Sequence, residues 1–229
     1  MLDDAKDNIS YVEQSLFASA YRTTNAAARA GYLVRFATAF PGSPYANQAL
    51  AIAAASYQQA QQYPKMLEVA NGLLAKDPND LSMLIILSDY YSEKGEQLDK
   101  AEAYAKKAID LLGTAKKPEG VSDEDWRKQI SLQKGLALSA LGQVNISKKK
   151  DEPALENFKA AAPLLKLDPV TYGRNQYRMG FALLNLKRIP EARAALTEAA
   201  IIDNPYRALA QQKLKTLPPA PAGARRKPP

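Results

Sequence analysis

The stretch from residue 47 to residue 80, NQALAIAAASYQQAQQYPKMLEVANGLLAKDPND, constrains this chain more than any other, because it spells out one complete pair of helices. Leu50, Ala53, Ala54 and Tyr57 follow the i, i+3, i+4, i+7 spacing of an apolar helical stripe. Leu67, Ala70, Leu73 and Leu74 build a second stripe after a break at Tyr63-Pro64. Proline suits the first turn of a helix, where its missing N–H has no acceptor to meet, and Asp77-Pro78-Asn79-Asp80 stops the second helix and opens the next. A 34-residue pair of this kind cannot bury both stripes by itself, so it needs neighbours of similar design.

The rest of the chain supplies them. Ile9, Val12, Leu16, Phe17 and Ala20 mark a helix, Thr23-Thr24-Asn25 offers side-chain oxygens to cap a second one, and together they give a degenerate pair near 8–40. In a pair at 81–112, Leu84 and Tyr91 fall 34 residues beyond Leu50 and Tyr57, while Ala101 and Ala108 fall 35 beyond Met66 and Leu73. One extra residue therefore belongs in the turn Gly95-Glu96-Gln97-Leu98, where it disturbs neither stripe. The fourth pair, 122–167, opens on the capping signature Ser122-Asp123-Glu124-Asp125. Gly135, Leu138, Leu141 and Gly142 read as the middle and end of its first helix, Ala154, Leu155, Phe158 and Ala161 as its second. The residues between them read as an inserted loop carrying Lys148-Lys149-Lys150, and Pro163 is expected to interrupt the second helix. A fifth pair at 173–206 follows, with Met179-Gly180, Leu183, Ala192, Leu196 and Ala199 in register and Gly180 expected at a close helix crossing. Leu209, Ala210 and Leu214 then build a capping helix at 205–216, and residues 217–229 read as a disordered, proline-rich basic tail. The expected class is all-α, with at least ten helices, no sheet and one helical domain over 1–216.

Composition narrows the chemistry. The chain has neither Cys nor His, so it cannot build a thiolate or imidazole metal site, a Cys nucleophile or a serine-histidine-aspartate relay. Its 24 Asp and Glu are scattered over helical faces as solvated charges are, and no catalytic, cofactor or metal role is assigned to them. The expectation is a non-enzyme. Of the net charge of +7, Arg225, Arg226 and Lys227 in the tail supply three, leaving a mild excess of +4 elsewhere. That argues against nucleic acid as the partner. Lys148–Lys150 is the one other basic run, and Asp151 and Glu152 follow it at once. A second reading nevertheless stands, in which this loop, Arg174, Arg178, Lys187, Arg188 and the tail bind a polyanion or a membrane surface. No stretch is long and apolar enough to span a membrane, and MLDDAKDN lacks the pattern of a signal peptide.

The 34-residue period, the small residue Ala54 in the first helix, the aromatic Tyr57 three positions on and the closing Asp77-Pro78 together resemble a tetratricopeptide repeat. The resemblance covers residues 8 to 216, most closely 47–112 and 173–206. It implies a right-handed superhelical solenoid of about five antiparallel pairs plus a cap. It also implies a concave groove, lined by the first helix of each pair, that receives an extended peptide or a partner helix. Carried over position by position, the groove candidates are Gln48, Gln58 and Gln59, then Asp89 and Glu93, then Arg174, Tyr177, Phe181 and Asn185, with Ala55, Ser82, Ile85, Ser92, Gln129, Leu132 and Leu136 between them. On this reading Asp89 and Glu93 offer negative charge to a dipolar ligand, and Arg174 and Arg178 offer positive charge. Tyr177 and Phe181 either line the groove or pack against the capping helix. The family's carboxylate clamp needs Lys and Asn where this chain has Ala51 and Ala55, or Tyr177 and Phe181, so that activity is not implied. The junction Phe40-Pro41-Gly42-Ser43-Pro44-Tyr45-Ala46 resembles that of bacterial envelope repeat proteins, which implies a protein partner and a periplasmic or envelope-associated location.

Overall fold

The computed structural model describes residues 2–218, with side chains from Asn8 onward. The tail beyond Pro218, including Arg225–Lys227, lies outside the described residues. Among those described there are eleven helices and no strand: α1 (Leu2–Tyr21), α2 (Ala26–Ala39), α3 (Ala46–Gln59), α4 (Tyr63–Lys76), α5 (Leu81–Lys94), α6 (Leu98–Thr114), α7 (Asp123–Ser147), α8 (Asp151–Leu165), α9 (Pro169–Asn185), α10 (Ile189–Ile201) and α11 (Arg207–Thr216). The fold is an all-α helical repeat. Its packing divides into two compact units, one ending at Leu87 and one starting at Ser88, with the division inside α5.

In the first unit the helix starts are built as the sequence requires. Asn25 Oδ1 accepts from Ala28 N at 2.9 Å to cap α2, and Asp80 Oδ1 accepts from Met83 N at 3.0 Å at the start of α5. Ala30, Leu33 and Phe36 of α2, Ala49, Ala53, Ala54 and Tyr57 of α3, and Met66, Ala70 and Leu73 of α4 are buried. Alanine dominates these contact faces because a methyl group lets two helix backbones approach closely. Phe17 of α1 is stacked 5.1 Å from Tyr45 and lies 5.9 Å from Phe36.

In the second unit the apolar stripe of α6 (Ala101, Ala105, Ala108, Leu112) is buried, and Ala154, Leu155 and Phe158 of α8 share a core with Ala182, Leu183, Ala192 and Ala195 of α9 and α10. Gly180 is a close crossing: a Cβ built there would sit 2.7 Å from Leu196 Cγ. One pair earlier, a Cβ on Gly142 would sit 2.5 Å from Phe158 Cε1. Ala210 of α11 joins Leu196, Ala199 and Ala200, with Leu214 and Leu217 packed against the same cluster. The docked chain thus runs one residue past the expected cap, and the Pro218 carbonyl accepts from Arg193.

Four first helices end in the same Schellman turn. Gln61, Gly95, Lys149 and Lys187 occupy the left-handed position, at φ of 56°, 69°, 58° and 60°. In each case the next residue's N–H reaches back to the carbonyl five positions earlier: Gln62 to Tyr57, Glu96 to Tyr91, Lys150 to Asn145 and Arg188 to Leu183, all at 2.8–3.0 Å. The second helix begins two residues after the left-handed position in three cases and three residues after it at Gly95, where Gln97 (φ 45°) is the inserted residue.

Three expectations need correction. The fourth pair has no long inserted loop: α7 runs on to Ser147 over 25 residues, burying Val144 and Asn145, and only Lys148–Lys150 join it to α8. Extending a helix satisfies each added backbone N–H and C=O, which a loop would leave to solvent. Pro163 does not interrupt α8 in mid-course, because the helix ends two residues later at Leu165 and little remains to be broken. The fifth pair starts at Pro169, not near 173. Asp168 Oδ1 accepts from Thr171 N at 3.0 Å, and Asp168-Pro169 repeats the Asp-Pro boundary already visible at 77–78.

Candidate functional site

Arg174, Tyr177, Arg178 and Phe181 are spaced three, four and seven apart, so α9 presents them on one face. Asp89 and Glu93, four apart on α5, meet that face. Arg174 Nη1 donates to Asp89 Oδ2 at 2.9 Å. Arg178 donates through Nη2 to Asp89 Oδ1 at 3.4 Å, through Nη1 to Ser139 Oγ of α7 at 3.3 Å, and also to Glu93 Oε2. The other oxygen of Glu93 accepts from the Tyr206 hydroxyl, which sits just ahead of α11. Two carboxylates and two guanidiniums thus neutralise each other, with Arg178 only 3% and Asp89 7% exposed.

Burial by itself would push Asp89 towards its protonated form, but the guanidiniums of Arg174 and Arg178 outweigh it and hold the carboxyl below its ordinary value. Burial, aided by Glu93, raises the Tyr177 phenol. Tyr177 therefore stays neutral. Its ring stacks on that of Tyr206, centroids 4.8 Å apart and planes 17° apart. Beside this stack opens a pocket of about 160 Å³, walled by Tyr177, Tyr206, Phe181 and Ile146 and floored by Arg178, Glu93 and Gln143. Phe181 is 36% exposed at its mouth. The arrangement offers apolar and aromatic walls, one amide and a charge network neutralised internally, in which the buried Arg178 Nε is left without a hydrogen-bond partner. Among the described residues no cluster of Asp or Glu is disposed to hold a metal ion.

No family model and no curated protein matches the sequence. Solved structures do match in shape. The MamA RS-1 ArsTM double mutant superposes with a TM-score of 0.56 at 12% identity, over 90% of this chain and 97% of its own. PilF of Pseudomonas aeruginosa gives 0.56 at 17% identity, over 86% of this chain and 77% of its own. TTC0263, described as a thermophilic TPR protein in Thermus thermophilus, gives 0.54 at 17% identity, over 90% and 97%. The chain has the tetratricopeptide-repeat fold. Its repeat register is visible in the small residues seven positions ahead of each Schellman turn, Ala54, Ser88, Gly142 and Gly180, all buried. The site of the second unit lies on first helices of repeats, α5, α7 and α9, and on Tyr206.

The structure brings five groove candidates together: Asp89, Glu93, Arg174, Tyr177 and Phe181. It does so differently from the dipolar picture. The acidic and basic residues are partners of each other, because burying any one of them alone would cost far more than pairing it. Tyr177 packs against Tyr206 at the head of the cap, and Phe181 is at the surface, so the two alternatives for these aromatics are divided between them. Asn185 stands apart in the last turn of α9, where its Nδ2 donates to Asp151 Oδ1 at 2.7 Å. In the first unit, Gln48 is exposed, Gln58 half-buried, and Gln59 Oε1 accepts from Arg29 Nη2 at 2.6 Å. Sequence reasoning did not place Ser139, Gln143, Ile146 or Tyr206 at the site. Only Tyr206 left a signal, as an aromatic beside the proline that opens the cap.

The basic residues of the second reading are mostly engaged. Lys148 Nζ reaches Asp99 Oδ1 at 2.5 Å and Glu102 Oε2 at 2.7 Å, and Arg188 holds Glu191 at 2.6 and 2.8 Å. Arg174 and Arg178 belong to the buried network, which leaves Lys149, Lys150 and Lys187 exposed. Among the described residues no helix is long and apolar enough to cross a membrane.

Proposed function

We propose that this chain is a non-enzymatic protein-binding scaffold that holds a peptide or partner helix on the α9 face of the unit beginning at Ser88, with one apolar side chain of the ligand seated between Tyr177, Phe181 and Tyr206. The pocket carries this reading. At about 160 Å³ it is smaller than the roughly 300–1,000 Å³ of pockets that enclose whole small molecules, and its walls are aromatic where its floor is charge-neutral. Such a site takes an anchor residue rather than a metabolite. The buried network underneath gives the rings a rigid support. We place the protein in a bacterial envelope-associated assembly on the strength of the 40–46 junction, to be checked by fractionating the native cell.

A random peptide library displayed on phage, panned against the immobilised protein, tests the binding reading. Enriched peptides should share an aliphatic or aromatic anchor and lose at least tenfold in affinity to Phe181→Ala, while Lys76→Ala and Lys106→Ala leave binding unchanged. Affinity should fall little between 50 and 300 mM salt, since apolar anchors carry it. Loss of binding on adding heparin, with a steep salt slope, would instead favour the polyanion reading.

A further inference from the structure

The pocket beside the Tyr177–Tyr206 stack leaves donor hydrogens free. The Gln143 amide and the Tyr177 hydroxyl have no hydrogen-bond partner among the described residues. Both oxygens of Glu93, by contrast, already accept, one from Arg178 and the other from the Tyr206 hydroxyl. α11 packs on α9 and α10, and Leu217, the residue after its last turn, lies on the same Leu196–Ala199–Ala200 cluster as Tyr177. With the Pro218 carbonyl held by Arg193, the chain leaves the described residues from the cluster that backs the Tyr177 wall. The sequence then runs Pro219-Ala220-Pro221-Ala222-Gly223-Ala224-Arg225-Arg226-Lys227-Pro228-Pro229.

We infer that residues 219–229 turn back over α9 and seat the Pro219-Ala220-Pro221 run against Tyr177, Phe181 and Tyr206, so that the chain covers its own binding face until a ligand displaces the segment. This rests on the reading of the pocket as an anchor site. Proline rings pack on aromatic faces, and aromatic-lined grooves take proline-rich segments in that way. The hydrogen bonding matches as well. Of residues 218–221 only Ala220 has an N–H, while the carbonyls of an extended proline-rich run have no internal partner. Such a segment brings acceptors and almost no donors, the complement of the hydrogens that Gln143 and Tyr177 leave free. The reach is sufficient too. At the 3.1 Å per residue of extended proline-rich chain, 218–221 covers about 12 Å, and neighbouring helix axes lie about 8–10 Å apart. Tethering by a short linker sets an effective concentration on the order of 1 mM, enough to fill a site that holds the free segment at only about 100 µM.

A synthetic peptide with the sequence of residues 217–229, titrated calorimetrically into the full chain, tests this. The wild-type chain, its site already filled, should bind the peptide about tenfold more weakly than full-length Pro219→Gln with Pro221→Gln, which keeps length and charge but removes the rings and adds N–H groups. Adding Phe181→Ala to that double variant should abolish the gain. Equal binding to wild type and double variant, or binding to neither, overturns the inference, and so does a gain that survives Phe181→Ala. The phage-selected anchor peptides separate this inference from the reading beneath it. If they bind through Phe181 and bind wild type and double variant equally, the pocket is an anchor site and the self-covering segment alone is refuted. If neither they nor the 217–229 peptide depend on Phe181, the anchor site is refuted as well.

Discussion

Arg174 of α9 donates to Asp89 of α5 at 2.9 Å across 85 positions of sequence, and the contact is closed from the other side by Arg178. A buried carboxylate with two guanidinium partners binds the end of one repeat's first helix to the first helix two repeats later. The pocket of the candidate site rests on that junction, since Arg178 and Glu93 are part of both.

Asp89→Asn keeps the shape of the side chain and removes its charge, leaving Arg178 buried against the more exposed Glu93. Breaking a buried pair on one side costs about 3–5 kcal/mol, so a clear fall in urea-melt stability is expected. Arg188→Ala removes a surface pair with Glu191 and should cost about 1 kcal/mol or less. Equal losses from the two would show that burial of the Asp89 network contributes nothing special.

Acid should unfold the protein through the same group. The carboxyl of Asp89 titrates below its ordinary value of 3.8 in the folded chain, so the network's contribution is complete above that pH and is lost as pH falls through the lower, folded value. Glu102, hydrogen-bonded by Lys106 and then Lys148, is lowered from 4.5 to about 2 and adds loss over the same direction and window. Melts between pH 7 and pH 2 should show stability steady to about pH 4.5 and falling beneath it, with a smaller drop in Asp89→Asn.

Three of the four Schellman turns place an L-residue where glycine is at ease. Lys149→Gly and Lys187→Gly should each stabilise by up to about 1 kcal/mol, while Gly95→Ala should destabilise by a similar amount. Thermal melts decide it, and a loss at Lys187→Gly would mean that the lysine side chain contributes more than its backbone strain costs.

Gly180→Leu drives a side chain into Leu196, and Gly142→Leu drives one into Phe158, each with an overpacking cost of about 1–3 kcal/mol. Gly31 of α2 has nothing within 4 Å of its would-be Cβ, so Gly31→Ala should raise stability by about 0.8–1 kcal/mol through helix propensity. No difference in melting between the two kinds of site would refute these crossings.

The repeat itself was legible because its signals are local. Apolar spacing, Asp-Pro boundaries, the Asn25 and Ser122 caps and the small residue before each turn all act within a few positions, and each appears in the folded chain where its pattern put it. Even the single inserted residue near Gly95 could be counted from offsets of 34 and 35, and it is Gln97. Longer-range facts had no such signature. Asp89, Glu93, Arg174 and Arg178 look in sequence like any charges on a helix face, and only tertiary packing decides that water leaves them and that they must pair. The same holds for Lys148, turned back onto Asp99 and Glu102, and for Tyr206, stacked on Tyr177 from the turn ahead of α11. Secondary structure follows from neighbours along the chain, whereas a site made by three helices and the turn ahead of a fourth depends on desolvation and partner identity at separations of 39 to 113 residues, which periodicity does not encode.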